Sequence, residues 1–166
     1  MEAKKIIITG GATRIVSAIA KSLVSFETKI GIHFNKSKSS ALKLKKELEV
    51  LGAEVYLFKA DLNNFKQTEN LIKKKEGCVI NIIDQRVEKL TPFFFSYTLS
   101  KSSLAVFTKT SAMKLGPNIR VNGISHGPTL KNKRQSEAHF KKQWKSTLLR
   151  KKVDLENICN GVKFLI

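Results

Sequence analysis

Tyr97 and Lys101 stand four residues apart at the head of a helix-patterned stretch, thirteen residues after Asp84, which follows the strand-like run Cys78-Val79-Ile80-Asn81-Ile82-Ile83. The spacing puts phenol and ammonium on one helix face. A cation held beside a tyrosine favours the phenolate, so a group of ordinary pKa near ~10 exchanges its proton closer to neutrality. The chemistry suggested is proton transfer at a carbonyl or an imine. Lysine is so abundant in this chain that the pair takes its meaning from position: it follows a buried strand in a sequence that opens with a strand and a glycine turn.

The elements that must position the pair alternate between strand and helix. Lys5-Ile6-Ile7-Ile8-Thr9 is a short β-branched run ending at Gly10-Gly11, and Ile15, Ala18, Ile19, Leu23 and Val24 follow at helical spacing. Lys29 to Phe34 reads as a second strand, Ser39 to Leu51 as an amphipathic helix stopped by Gly52, and Glu54 to Lys59 as a third strand. Ala60-Asp61-Leu62 leads into a polar helix from about Phe65 to Lys75. A long helix from about Ser96 to Leu115, a strand over Asn118 to Ile124 and a tail helical in two pieces complete the chain. This order, with short connections, predicts an α/β doubly wound parallel sheet, and 166 residues with 42% hydrophobic content suit one domain, residues 1–166.

Glycines between a buried strand and a helix let the backbone approach a pyrophosphate, while the helix N-terminus supplies donors and partial positive charge. Gly10 and Gly11 hold that position, with Arg14 and Val16 where further glycines would complete a fingerprint. At the end of the second strand, an acid usually accepts the ribose 2′-hydroxyl of NAD. Here His33-Phe34-Asn35-Lys36-Ser37 offers a cation and polar donors suited to a 2′-phosphate, which favours NADP.

The formal charge of +18 invites a nucleic-acid reading, but only Arg14, Arg86, Arg120, Arg134 and Arg150 among the 31 basic residues are arginines. The lysines are scattered without interleaved aromatics, so no specific nucleic-acid partner is expected. Cys78 and Cys159 form neither a disulfide framework nor a metal site, and a reduced cytoplasmic setting is expected. No apolar run approaches a membrane span, and the start of the chain lacks a signal-peptide core.

With these motifs in order, the sequence resembles the short-chain dehydrogenase/reductase family, in particular its pteridine-reductase-like, NADPH-dependent branch. The resemblance rests on Thr9-Gly10-Gly11-Ala12-Thr13-Arg14-Ile15, His33-Phe34-Asn35-Lys36-Ser37, Ala60-Asp61-Leu62 and Asn81-Ile82-Ile83-Asp84-Gln85-Arg86. Tyr97-Thr98-Leu99-Ser100-Lys101, Ile119-Arg120-Val121-Asn122-Gly123-Ile124 and Gly127-Pro128-Thr129 extend it over nearly the whole chain. It implies a Rossmann fold and hydride transfer from NADPH to a C=O or C=N group of a small, pteridine-like substrate. Gly10, Gly11, Arg14 and Ile15 would wrap the pyrophosphate and adjoining ribose. His33, Asn35, Lys36 and Ser37 would face the 2′-phosphate, Asp61 and Leu62 the adenine, and Thr129 the carboxamide. Tyr97 would donate the proton, Lys101 would hold the nicotinamide ribose and lower the tyrosine's pKa, and Asp84 would take a position that is usually a catalytic serine. The family is usually homo-oligomeric.

Three departures stand out. Between the helix ending near Lys75 and the strand at Cys78 the family has a further strand and helix, which need about 30 residues; here only Glu76 and Gly77 remain. The strand at Cys78 must then either leave a gap or pair directly with the first strand. Val16 stands in place of a glycine, Ser125-His126 in place of a Gly-Pro, and the family's last strand is missing at the end. The expectation is an internally deleted, shortened reductase with weak or absent catalysis. The alternatives are a non-catalytic nucleotide-binding remnant or, less favoured, a basic polyanion-binding protein. Among single residues, His126 reads as solvent-facing in preference to an acid or base of the modified loop, Asp84 as either catalytic or a simple cap, and Phe93-Phe94-Phe95 as a cofactor-side or substrate-loop wall or as core. Phe140 and Trp144, four apart, read as a packing face or a lid.

Overall fold

The computed structural model describes residues 4–9, 14–24, 28–61, 64, 67, 77–132 and 135–166. Gly10, Gly11 and Leu62 lie outside them, as does the helix expected from about Phe65 to Lys75 except for Gln67. The β-branched runs form five strands: β1 (Lys4–Ile8), β2 (Thr28–Phe34), β3 (Glu54–Lys59), β4 (Gly77–Ile82) and β5 (Ile119–Ile124). Helices α1 (Ile15–Ser22), α2 (Lys38–Val50), α3 (Phe95–Leu115), α4 (Glu137–Lys145) and α5 (Leu155–Leu165) stand between and after them. The reading places the five strands and the helices α1 to α3 to within a residue or two of their observed bounds, the usual uncertainty of helix and strand ends, and the two helical pieces of the tail, read without bounds, are α4 and α5. Gly52, at φ 90°, ends α2 as an L residue would not, and Ala53 N–H closes back on the Leu48 carbonyl at 3.0 Å.

All strand pairs are parallel, in the order β3-β2-β1-β4-β5. The strand at Cys78 therefore takes the second of the two expected courses. It pairs directly with the first strand through Ile6↔Cys78, Ile7↔Val79 and Ile8↔Ile80. The order reverses between β1 and β4, and the crevice at the carboxyl ends of those two strands is where an open α/β sheet binds ligands.

Because side chains alternate across a strand, the parallel register sorts the sheet into two faces. Ile6, Ile8, Ile30, Ile32, Val55, Ile80 and Ile82 bury against Ile19 and Leu23 of α1, Leu44 and Leu48 of α2, and Ile158 and Val162 of α5. On the opposite face, Val79, Ile119 and Val121 meet Ala112 and Leu115 of α3. That helix buries only Thr108 and Ser111 and exposes Phe95, Leu99, Val106 and Met113. Among the described residues no helix is long and apolar enough to cross a membrane.

Candidate active site

The polar side chains begin inside the sheet. Asn81, the one amide in the apolar run of β4, is fully buried, and both of its ends are used. Its Oδ1 accepts from the Thr9 hydroxyl at 2.7 Å, and its Nδ2 donates to Thr108 Oγ1 at 2.9 Å. Thr108 in turn donates to the Leu104 carbonyl. An unpaired buried amide would cost about 1–3 kcal/mol, so this chain of bonds holds the end of β1, β4 and α3 in one register.

Two residues past β4, Asp84 starts a 3-10 turn over Gln85–Val87. Its Oδ1 caps the Arg86 N–H at 2.9 Å, and its Oδ2 accepts from the Tyr97 hydroxyl, also at 2.9 Å. Asp84 is thus both the cap and a partner of the tyrosine. Lys101 lies one helical turn beyond Tyr97, with its Nζ on the Ile82 carbonyl at 2.7 Å and 5.9 Å from the centroid of the tyrosine ring.

The expected effect of Lys101 on the tyrosine is corrected by these contacts. Burial and the neighbouring Asp84 carboxylate push the Tyr97 phenol up to about 12, against the pull of Arg86 and Arg14. The ammonium is turned to a backbone carbonyl, and burial lowers its own pKa while Asp84 opposes that shift. Tyr97 holds its proton and directs it at Asp84.

Asp84 and Tyr97 open into a cavity of about 550 Å³, lined also by Arg14, Ile15, Arg86, Phe94, His126 and the Gly127–Leu130 loop. The α4 side is closed by Gln135, His139, Phe140 and Gln143. Arg14, at φ 54°, crosses from the start of α1 and donates to the Leu130 carbonyl at 2.7 Å. Phe94 is also left-handed at φ 62°, and its ring is covered by the Arg86 guanidinium at 4.4 Å. Non-glycine residues rarely hold such backbone angles, and here two of them are cavity walls. Phe93, Phe94 and Phe95 are all exposed and so are not core, and Phe94 lines the cavity. Phe140 is buried and forms part of the wall.

Thr129, buried at the far side, donates to the Gly127 carbonyl at 2.9 Å and lies 3.3 Å from His126 Nδ1. His126 is half-buried and lines the cavity, which corrects the expectation that it faces solvent. The sequence marks it as a replacement in this loop but does not give its direction, which depends on the carbonyl that holds the ring.

At the carboxyl end of β2, Asn35 and Lys36 are exposed and Ser37 stands at the N-cap of α2 with its hydroxyl unused as a cap. A cation and a free hydroxyl at a helix N-terminus suit an anion. His33 is corrected. It points to the opposite face from Ile32 and Phe34, is 4% exposed, and bonds through Nε2 to the Ala60 carbonyl at 3.0 Å. Burial lowers its pKa, so it is a neutral interior ring and no phosphate-facing cation. Asp61 follows β3 half-buried, with its N–H on Gln67 Oε1 at 2.8 Å.

A family model described as enoyl-(acyl carrier protein) reductase matches residues 65–166. Among solved structures, FolM alternative dihydrofolate reductase 1 from Brucella canis, complexed with NADP, is 30% identical with a TM-score of 0.79, covering 97% of this chain and 86% of that one. Its counterpart from Brucella suis, also in complex with NADP, gives 30% and 0.79 over 97% of this chain and 87% of that one. An NAD+-bound xylitol dehydrogenase, at 18% identity and a TM-score of 0.77 over 98% and 91%, shares the fold.

Proposed function

The chain belongs to the short-chain dehydrogenase/reductase family, and from that premise we propose that it is an NADPH-dependent reductase of a C=N or C=O group in a small substrate, a reduced or oxidised pteridine first among those to test. The observation that carries the reading is the Tyr97 to Asp84 hydrogen bond, with Lys101 one turn on, at the wall of a cavity in the switch-point crevice between β1 and β4. The likeness to FolM alternative dihydrofolate reductase 1 from two Brucella species, each complexed with NADP, supports both cofactor and substrate class.

The residues present fit the cofactor. Lys36, Ser37 and the N-terminus of α2 would hold the 2′-phosphate with Asn35 beside them, Asp61 would flank the adenine, and Arg14 and Ile15 would meet the diphosphate end of the cavity. Thr129 would meet the carboxamide. When bound, the dihydronicotinamide supplies a hydride. The chain's own part is to bind and orient the acceptor. Tyr97 would donate to the heteroatom and supply its proton, Asp84 would position the phenol, and Arg86 with Phe94 offers a flat, cation-backed rim for a heterocycle.

A second reading, nucleotide binding without turnover, is favoured by the high pKa of Tyr97 and by the direct pairing of β4 with β1. Titration with NADPH and with NADH, followed by cofactor fluorescence and thermal midpoint, tests both. Saturable binding that is tighter for NADPH, with substrate-dependent NADPH oxidation that falls at least ~100-fold in Tyr97→Phe, is the expected result. Binding without oxidation across pterins and small carbonyl compounds would select the second reading, and no binding would end both.

A further inference from the structure

On its α4 side the cavity carries the amides of Gln135 and Gln143, which neither the cofactor contacts nor the proton transfer uses. Ser136 caps α4, its Oγ accepting from the His139 N–H at 3.2 Å, and this fixes the start of the helix. Gln143 follows His139 by four residues and Phe140 by three, so the three share a face, and all of them line the cavity. Gln135 stands just before the cap. The Asn132 N–H, which can only donate, meets Gln135 Oε1 at 3.3 Å, so the oxygen end of that amide is taken. Gln135 Nε2 then donates to Gln143 Oε1 at 2.8 Å. One backbone N–H thus decides which way both amides point. Gln143, half-buried on the wall, is left with an Nε2 whose hydrogens find no acceptor among the described residues. An amide can offer a ligand either end, and here only the donor end is offered.

We propose that Gln143 determines substrate specificity at this site, donating from Nε2 to an acceptor atom of the substrate, a ring carbonyl oxygen in an oxo-pterin, and that Gln135 is the positioning residue that fixes this polarity. The proposal rests on the reductase reading and deepens it. Tyr97 serves the atom being reduced, and Gln143 reads another part of the ring from the α4 wall. A heterocycle with an amino group in place of the carbonyl would set donor against donor, and a site built around such a bond rejects the analogue because its own polar group is left unpaired. Asp84, Arg14 and Arg86 line the same cavity and act on any charged heterocycle. The decisive quantity is therefore the ratio of the two affinities and how each variant changes it.

The test loads wild type and variants with NADP+ and measures, by fluorescence, the affinities of an oxo-pterin and of the diaminopteridine that has an amino group in place of the ring carbonyl. NADPH affinity and the kinetics with a dihydropterin are measured beside them. A neutral hydrogen bond is ordinarily worth up to about tenfold in affinity. Gln143→Leu should weaken the oxo-pterin by about that factor and raise KM, with kcat within about threefold and NADPH Kd within about twofold of wild type. Gln143→Glu still accepts from Gln135 but shows the cavity an acceptor, and should move the ratio toward the diaminopteridine by more than ~10-fold. Gln135→Glu leaves residue 143 untouched. Its carboxylate still accepts from Asn132 but cannot donate, so the Gln143 amide turns over to donate to it, Oε1 faces the cavity, and the same shift is expected. His139→Glu adds a carboxylate to the same wall without turning an amide, and should move the ratio by no more than about threefold. An equal shift in His139→Glu, a wild-type ratio in Gln135→Glu, or a loss of NADPH affinity in Gln143→Leu in place of the change in KM each overturns the proposal and leaves the reductase reading standing. So does a wild type that oxidises NADPH with small carbonyl compounds but binds neither pteridine. A wild type that binds NADPH and oxidises it with no substrate overturns both.

Discussion

The two faces of the sheet are built on different principles. One is a continuous apolar layer in which three helices bury aliphatic side chains against every second residue of the strands. The other carries a small apolar cluster under α3, and it also buries the polar side chains of Thr9, His33, Asn81, Thr108 and Ser111. Tyr97 and Lys101 are presented by the helix on that second face. Stability is thus concentrated on one face and chemistry on the other, and hydrogen bonds fix the position of α3 where apolar packing is thin. A face held by directional bonds keeps its register only while each partner is present.

The same deletion made on each face measures the contrast. Ile19→Ala in α1 removes a fully buried side chain surrounded by aliphatic neighbours and should cost about 2–5 kcal/mol in denaturant unfolding, toward the upper part of that range. Ile119→Ala in β5, on the thin face, should fall toward the lower part, because fewer groups surround the space it leaves. Equal losses would break the comparison. Asn81→Ala comes next in size. It leaves the Thr9 hydroxyl without its partner and removes the tie to α3, for about 1–3 kcal/mol. It should also shift the Tyr97 environment more than Ile19→Ala does, read from the tyrosine ring signals by NMR.

How far the sequence reveals this contrast follows from the physics of each face. A doubly covered parallel strand is a nearly unbroken apolar run, so the fold of the described residues can be read from Ile6-Ile7-Ile8, Cys78-Val79-Ile80 and their like. The polar chain cannot. Asn81 lies 72 residues from Thr9 and 27 from Thr108, and no local pattern joins them. The cavity is legible in part: Asp84, Tyr97, Arg14, Ile15 and Thr129 meet there as the spacing and the resemblance imply. Lys101 is near Asp84 and Tyr97 in sequence, but its turn onto the Ile82 carbonyl depends on the three-dimensional course of β4. His33 was within reach of the strand alternation, since flanking Ile32 and Phe34 point inward on one face and the other face of a covered sheet is interior too.

Asp84→Asn sharpens the picture at the rim of the polar face. It removes a charge while keeping an acceptor for the Tyr97 hydroxyl, so the electrostatic part of the tyrosine's elevation goes and the part due to burial, the larger cause, stays. The Tyr97 pKa should fall from about 12 but remain above the ordinary phenol value of 10.0. Phenolate absorbance in an alkaline titration reads it, in a Tyr56→Phe background that removes the second tyrosine. A return all the way to the ordinary value would mean that Tyr97 is open to water in the absence of Asp84.

The smallest expected effect comes from His33, which tests whether the polar face is sealed beyond α3. Its pKa is lowered from 6.5 by burial, so the folded state binds its proton more weakly than the unfolded state does. The unfolded chain therefore takes up the extra proton as pH drops below about 6.5, and the stability that neutral His33 permits is lost progressively until the folded pKa is passed, below which the loss is constant. The slope can be no steeper than about 1.4 kcal/mol per pH unit for one proton. His33→Gln keeps an amide N–H at the reach of Nε2 for the Ala60 carbonyl without titrating, and should flatten this part of the stability profile measured by urea unfolding. An unchanged slope in the variant would mean that His33 charges freely in the folded protein, and that water reaches the polar face along β2.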